Sequence, residues 1–155
     1  MSDFEKDITN IWSTWSQCNA MYHRWAANQD INYYQLLVLY AIDQRDALTQ
    51  REICELEGLQ KQTVNSVIRQ FKAEGYVTLE PGQKDKREKL VRFTQKGRTY
   101  AQEVLSPLFQ IEKKVYSMMG QERVQQLYEL SRLFNLLFED AIKTAEKEQA
   151  DKGVK

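Results

Sequence analysis

The chain has one histidine, two cysteines, two prolines and six glycines among 155 residues, and its 22 basic side chains are matched by 22 acidic ones. Each scarcity excludes something. The single His23 leaves no paired nucleophile and base for catalysis and no histidine-rich zinc site. The two cysteines, Cys18 and Cys54, sit inside apolar-periodic stretches and are expected as buried, reduced thiols. The few glycines form no phosphate-cradling loop, and no low-complexity segment or internal repeat is present. No apolar run approaches the length of a bilayer span. The opening Met1-Ser2-Asp3-Phe4-Glu5-Lys6-Asp7 is acidic, unlike a secretory leader, so a cytoplasmic protein is expected.

The zero net charge argues against a nucleic-acid partner until its distribution is considered. Residues 1–47 carry three basic and six acidic groups, residues 48–98 eleven and seven, and residues 99–155 eight and nine. The excess of four positive charges is therefore confined to the middle of the chain. With 42% hydrophobic and 28% charged residues, the composition is that of one ordinary globular domain.

Periodicity orders the elements. Phe4, Ile8, Ile11, Trp15, Cys18, Tyr22 and Trp25 alternate in steps of four and three, a heptad-like seam on a helix over 4–27. Asn32 and Gln35 form a capping box opening a second, largely apolar helix. Asp43 to Ala47 reads as a polar turn. Thr49 and Glu52 form another capping box, starting a short helix that Gly58 ends. A helix over 60–74 follows and stops at Gly75. Tyr76–Glu80 and Leu90–Thr94 then alternate as two strands around a long charged tip. Thr94 caps a helix running to about Met118, with Tyr100, Ala101, Val104, Leu105, Leu108 and Val115 inward and an interruption at Pro107. A last helix starts at Gln121, and the charged tail after Thr144 is expected to fray. Helix, turn, helix and basic hairpin in unbroken succession predict a mainly α protein with a small β-hairpin wing, a winged helix-turn-helix. Apolar residues at both chain ends exceed what one small lobe needs, so both terminal helices are expected to pair across a two-fold axis.

On the helix over 60–74, Val64, Val67, Ile68 and Phe71 form one inward stripe. Gln62, Ser66 and Arg69 then point outward, with Thr63 and Asn65 on the shoulders of that face. These side-chain types reach base edges: arginine binds guanine, asparagine and glutamine bind adenine, and threonine touches the thymine methyl. Lys61 and Lys72 on one flank suit phosphate. No acidic residue occurs between Leu59 and Ala73. The hairpin tip adds Lys84, Asp85, Lys86 and Arg87, a basic loop able to follow the DNA backbone or enter a narrow minor groove.

These residues resemble the MarR (multiple antibiotic resistance regulator) family over nearly the whole length. Ile31 to Leu39 is similar to the family's opening of helix 2, and Leu48-Thr49 through Leu59 to its first helix-turn-helix element. Thr63-Val64 and Glu74-Gly75-Tyr76-Val77 resemble its recognition helix and exit. The most specific likeness is the wing signature, Asp85-Lys86-Arg87 followed by Val91-Arg92-Phe93-Thr94-Gln95-Lys96-Gly97. The resemblance implies a winged-helix lobe over about 32–97 and dimerisation helices at about 4–27 and 98–146, all within a single domain. It also implies that Arg87 enters the minor groove while Asp85 holds it. Gln60 departs from the family, standing where a serine-like cap is common. The peroxide-sensing branch has a cysteine near the start of helix 1. Here Ile8 holds that place and Cys18 falls about three turns later.

The resemblance further implies a small-molecule pocket in many members. Trp15, Tyr22, Trp25 and Tyr33 are the candidates for it, offering apolar surface with indole and phenol donors, although packing alone also accounts for such a cluster. The expectation is a homodimeric, DNA-binding transcriptional regulator that represses from a pseudo-palindromic operator, answers a small aromatic or acyl effector, and uses no cofactor or metal. The alternative is a winged-helix module that docks proteins.

Overall fold

The computed structural model describes residues 2–82 and 88–152, with side chains as far as residue 150. The described elements are α1 (Asp3–Asn28), α2 (Tyr33–Arg45), β1 (Ala47–Thr49), α3 (Gln50–Glu57), α4 (Lys61–Ala73), β2 (Val77–Pro81), β3 (Lys89–Phe93), α5 (Gln95–Met119) and α6 (Gln121–Lys152). The expected mainly α winged-helix architecture is the observed one. Among the described residues no helix is long and apolar enough to cross a membrane.

Local chemistry accounts for most helix starts. Ser2 with Glu5, Asn32 with Gln35 and Thr49 with Glu52 each close a capping box, satisfying amides that the first turn leaves unpaired. Gly58 ends α3 in the left-handed conformation, at φ +62°, and its N–H donates to the Cys54 carbonyl. Thr94 accepts from the Gly97 N–H at 2.9 Å and donates to the Gly75 carbonyl at 2.7 Å, tying the start of α5 to the end of the helix-turn-helix. Gly97 is required there for a separate reason. A Cβ at this position would lie 1.8 Å from the Tyr76 carbonyl oxygen, a backbone atom that cannot turn aside.

The strands pair antiparallel in the order β1-β3-β2. Val77 faces Phe93, Leu79 faces Val91, and Leu48 faces Val91 from the other side, so the apolar positions share one face. The polar turn expected over Asp43 to Ala47 is narrower, since α2 runs to Arg45 and β1 begins at Ala47. This strand is only three residues long, too short for alternation to be visible, and its last residue is also the α3 cap.

The chain divides into two compact units, Met1–Phe109 and Gln110–Lys155. The first holds the core: Leu36, Val38, Leu39 and Ile42 of α2, Ile53 of α3, Val64, Ile68 and Phe71 of α4, Val77 and Val91 of the wing, and Ala101, Val104, Leu105 and Leu108 of α5. From the second unit no described residue is buried. Val115, expected inward, is 49% exposed.

Several other expectations change. Cys18 is exposed, since the α1 residues that meet the core, Tyr22, Trp25 and the buried Ala26, all lie after it, and Cys54 on α3 is half-buried against the core. α5 is not interrupted at Pro107. The ring removes one N–H donor, yet the helix continues to Met119. α6 does not end near Thr144 but continues to Lys152 through Ala145, Glu146, Lys147, Glu148, Gln149 and Ala150, all good helix formers.

Candidate nucleic-acid interface

The stripe Val64, Val67, Ile68 and Phe71 is buried and fixes which side of α4 faces solvent. Lys61, Gln62, Asn65, Ser66 and Arg69 are exposed, and Thr63 is half-buried on the shoulder. Lys72 is exposed on the flank. No carboxylate interrupts this surface. Among the described residues Lys61, Arg69 and Lys72 form no ion pair, so their charge is open to an anionic partner. Gln60 stands at the N-cap of α4 with extended backbone and makes no side-chain cap bond.

Four other cations of the basic segment, Arg51, Arg92, Lys96 and Arg98, have partners within the chain. Arg92 of β3 donates to Asp46 at 2.6 Å and to Glu80 at 3.3 Å, while Arg98 of α5 donates to Asp46 at 3.1 Å. Asp46 sits at the end of α2 with φ +62°. The hydrogen bond from Arg98, then the charge of Arg92, hold its carboxyl below the usual carboxylate range. Arg51 pairs with Glu55 on α3. Lys96 donates to the Glu74 carbonyl at 2.7 Å and lies 4.9 Å from the centre of the Tyr76 ring, which also stacks on Tyr100 at 4.2 Å and meets Phe71 edge-on at 6.1 Å. Among the described residues, the cations at the wing root are thus paired and those on α4 are not. The ion cluster around Asp46 gave no sequence signal, since its partners lie 46 and 52 positions away.

At the wing, the Gly82 N–H donates to the Glu88 carbonyl at 2.8 Å and closes the neck of the hairpin. Lys84, Asp85, Lys86 and Arg87 lie outside the described residues.

The aromatic candidates are partly brought together. Tyr22, Trp25 and Tyr33 are half-buried. His23 is exposed and stacks on Tyr33 with ring centroids 4.0 Å apart. Burial, then the nearby Glu57 carboxylate, Cys18 and Tyr34 push the Tyr33 phenol above its ordinary value. Glu57 is itself raised by desolvation. The Trp25 indole nitrogen is buried and has no hydrogen-bond partner among the described residues. Trp15 lies about three turns before Trp25 on α1 and is 39% exposed. His23 and Glu57 were not among the sequence candidates. Their nearness to Tyr33 depends on the packing of α1 and α3 around the start of α2.

Residues 29–88, which span the helix-turn-helix and most of the wing, match the MarR family model. A solved MarR family regulator from Neisseria meningitidis, NMB1585, is 27% identical, covers 92% of this chain and 98% of its own, and superposes with a TM-score of 0.78. The family match and this likeness together support a MarR-family winged-helix regulator. Members of this family are DNA-binding transcriptional regulators and not enzymes. Two more distant structures share the fold of this chain. BpsR of Bordetella bronchiseptica, whose DNA binding is regulated by 6-hydroxynicotinic acid, is 21% identical over 86% of this chain and 96% of that one, with a TM-score of 0.65. A cysteine-to-serine variant of MarR from E. coli, complexed with operator DNA, is 20% identical over 84% and 97%, with a TM-score of 0.62. No curated protein sequence matches the chain.

Proposed function

We propose that this chain is a MarR-family homodimeric repressor, acting as one domain over its whole length on a pseudo-palindromic operator. The carrying observation is the α4 surface, acid-free and exposed over a fully buried apolar stripe. Lys61, Gln62, Thr63, Asn65, Ser66 and Arg69 read the major groove and its edges. Lys84, Asp85, Lys86 and Arg87 approach the adjacent minor groove, with Asp85 holding Arg87. The exposed Phe4, Ile8 and Ile11 of α1 and Phe134, Leu137 and Phe138 of α6 support pairing through both chain ends. The operator complex of the E. coli MarR variant supports operator binding by this fold.

Trp15, Tyr22, Trp25 and Tyr33 are proposed to meet a small aromatic or acyl effector, supported by the unpartnered Trp25 indole and the desolvated Tyr33 phenol. BpsR, which responds to a hydroxylated pyridine carboxylate, supports the chemistry.

Selection of binding sequences from random duplex DNA tests the reading. A two-fold symmetric consensus is expected, with affinity that falls steeply with salt. Placing that consensus in a reporter promoter should lower its output. Binding without sequence preference would instead favour a protein-docking module.

A further inference from the structure

The three capping boxes differ in one respect. The exposed boxes of α1 and α3 are closed by Glu5 and Glu52, whereas the box of α2 is closed by Gln35, which is 7% exposed. Either residue type closes the box, because only an acceptor oxygen is needed at that step. A glutamine has an amide left over, and here it is used. The Asn32 N–H donates to Gln35 Oε1 at 2.8 Å, Gln35 Nε2 donates to Gln70 Oε1 at 3.0 Å, and Gln70 Nε2 donates to Glu74 Oε1 at 3.0 Å. Both ends fix the direction of this chain. A backbone N–H can only donate and a carboxylate can only accept, so neither glutamine amide can be reversed while all three bonds stand.

The relay joins the start of α2 to the last turns of α4, on the same helix as Arg69. The start of α4 has no equivalent anchor, since Gln60 makes no cap bond. The apolar stripe beneath α4 opposes exposure but is not directional. A roll of about 20° moves a side-chain tip at a radius of about 6 Å by about 2 Å. That is enough to break a base contact whose length varies only over about 2.7–3.2 Å. We infer that Gln35 is a positioning residue that sets the roll of the recognition helix through Gln70 and Glu74, and so acts on operator selectivity without touching DNA. The inference rests on the proposed reading of α4 as the operator-reading helix.

Polarity reversal tests it. Gln35→Glu keeps the capping box but turns the next link into a second acceptor. Gln70 must then present its amide nitrogen to the carboxylate introduced at position 35 and its oxygen to the Glu74 carboxylate, which repels it. Adding Glu74→Gln supplies a donor at the far end and completes the relay in the opposite direction. Affinities of the parent, Q35E, E74Q and Q35E/E74Q are measured on the selected operator and on scrambled DNA, with thermal unfolding followed in parallel. Q35E should lose about tenfold on the operator and distinctly less on scrambled DNA, and the double variant should regain at least about threefold of the loss beyond the effect of E74Q alone. If Q35E does not fold, Gln70→Met decides. It removes the relay from the exposed side of α4 without burying a charge, and should show the same selective loss. Equal losses on both DNAs, or no recovery in the double variant, would overturn the relay while leaving the DNA reading intact. A parent with no operator preference overturns the DNA reading and this inference together.

Discussion

The two compact units treat apolar side chains in opposite ways. In Met1–Phe109 Leu36, Leu39 and Ile42 of α2, Ile68 and Phe71 of α4 and Val91 of β3 are buried, down to 0% exposure at Phe71. In Gln110–Lys155 Leu130, Leu136 and Leu137 all exceed 60% exposure, and no described residue is buried. The first unit has its folding energy inside one chain. The second has exposed apolar surface of the kind the proposed dimer would bury, so in that dimer its stability should depend on protein concentration. The N-terminal half of α1 behaves like the second unit, with Phe4, Ile8, Ile11 and Trp12 all exposed.

The contrast is open to direct attack. Phe71→Ala should cost about 3–5 kcal/mol in urea unfolding, as full truncation of a buried aromatic does, and by the same amount at every protein concentration. A loss that changes with concentration would mean that the first unit is not self-sufficient. Deleting residues 1–12 should instead act on assembly. Sedimentation should find monomer or aggregate, with self-association weakened by at least about a hundredfold, or roughly 2.7 kcal/mol. A truncated chain that remains a tight dimer would assign pairing to α6 alone.

Within the first unit, the α4 face and the wing tip should separate by type of contact. Arg69→Ala should cost about 1–3 kcal/mol on the operator and relax preference at one base pair in each half-site. Arg87→Ala should weaken binding to most sequences and reduce the salt slope by about one. Since Arg69 is exposed, its loss should leave thermal unfolding unchanged. The smallest effect is expected at Glu57, whose carboxyl is raised by burial. Its ionised form is penalised in the folded state, so the penalty is present above the folded pKa and disappears as pH falls below the unfolded value. Glu57→Gln should therefore raise Tm near pH 7, by no more than the 2–4 °C or so that about 1 kcal/mol produces in a chain of this size. Half-exposure screens the charge and keeps the gain small. The gain should vanish in acid, and a gain that persisted there would point to packing instead.

What could be read from the sequence was what is decided locally. Capping boxes at Asn32 and Thr49 and the left-handed Gly58 depend on neighbours three or four positions away, and each appears as expected. The exposed face of α4 follows from helical geometry once its apolar stripe is known. Burial on α1 and α5 was less legible. An apolar seam has the same spacing whether it meets its own core or another chain, and for that reason Cys18 and Val115 are exposed rather than inward. β1 offered three residues and no period. The pairing of Asp46 with Arg92 and Arg98, and the nearness of Glu57 to Tyr33, depend on tertiary packing between distant segments, which no local pattern encodes.

The approach of Gly97 to the Tyr76 carbonyl also constrains how this protein can vary. A position with no side chain would ordinarily be expected to accept a small one such as alanine. Here even alanine puts its methyl group inside the van der Waals envelope of a fixed oxygen, and every larger residue begins with that same carbon. In a saturation library, position 97 should therefore be as depleted of replacements as Phe71 or Ile53. The gene would tolerate drift on the neighbouring exposed Gln95 and Thr99 while holding one codon between them nearly constant.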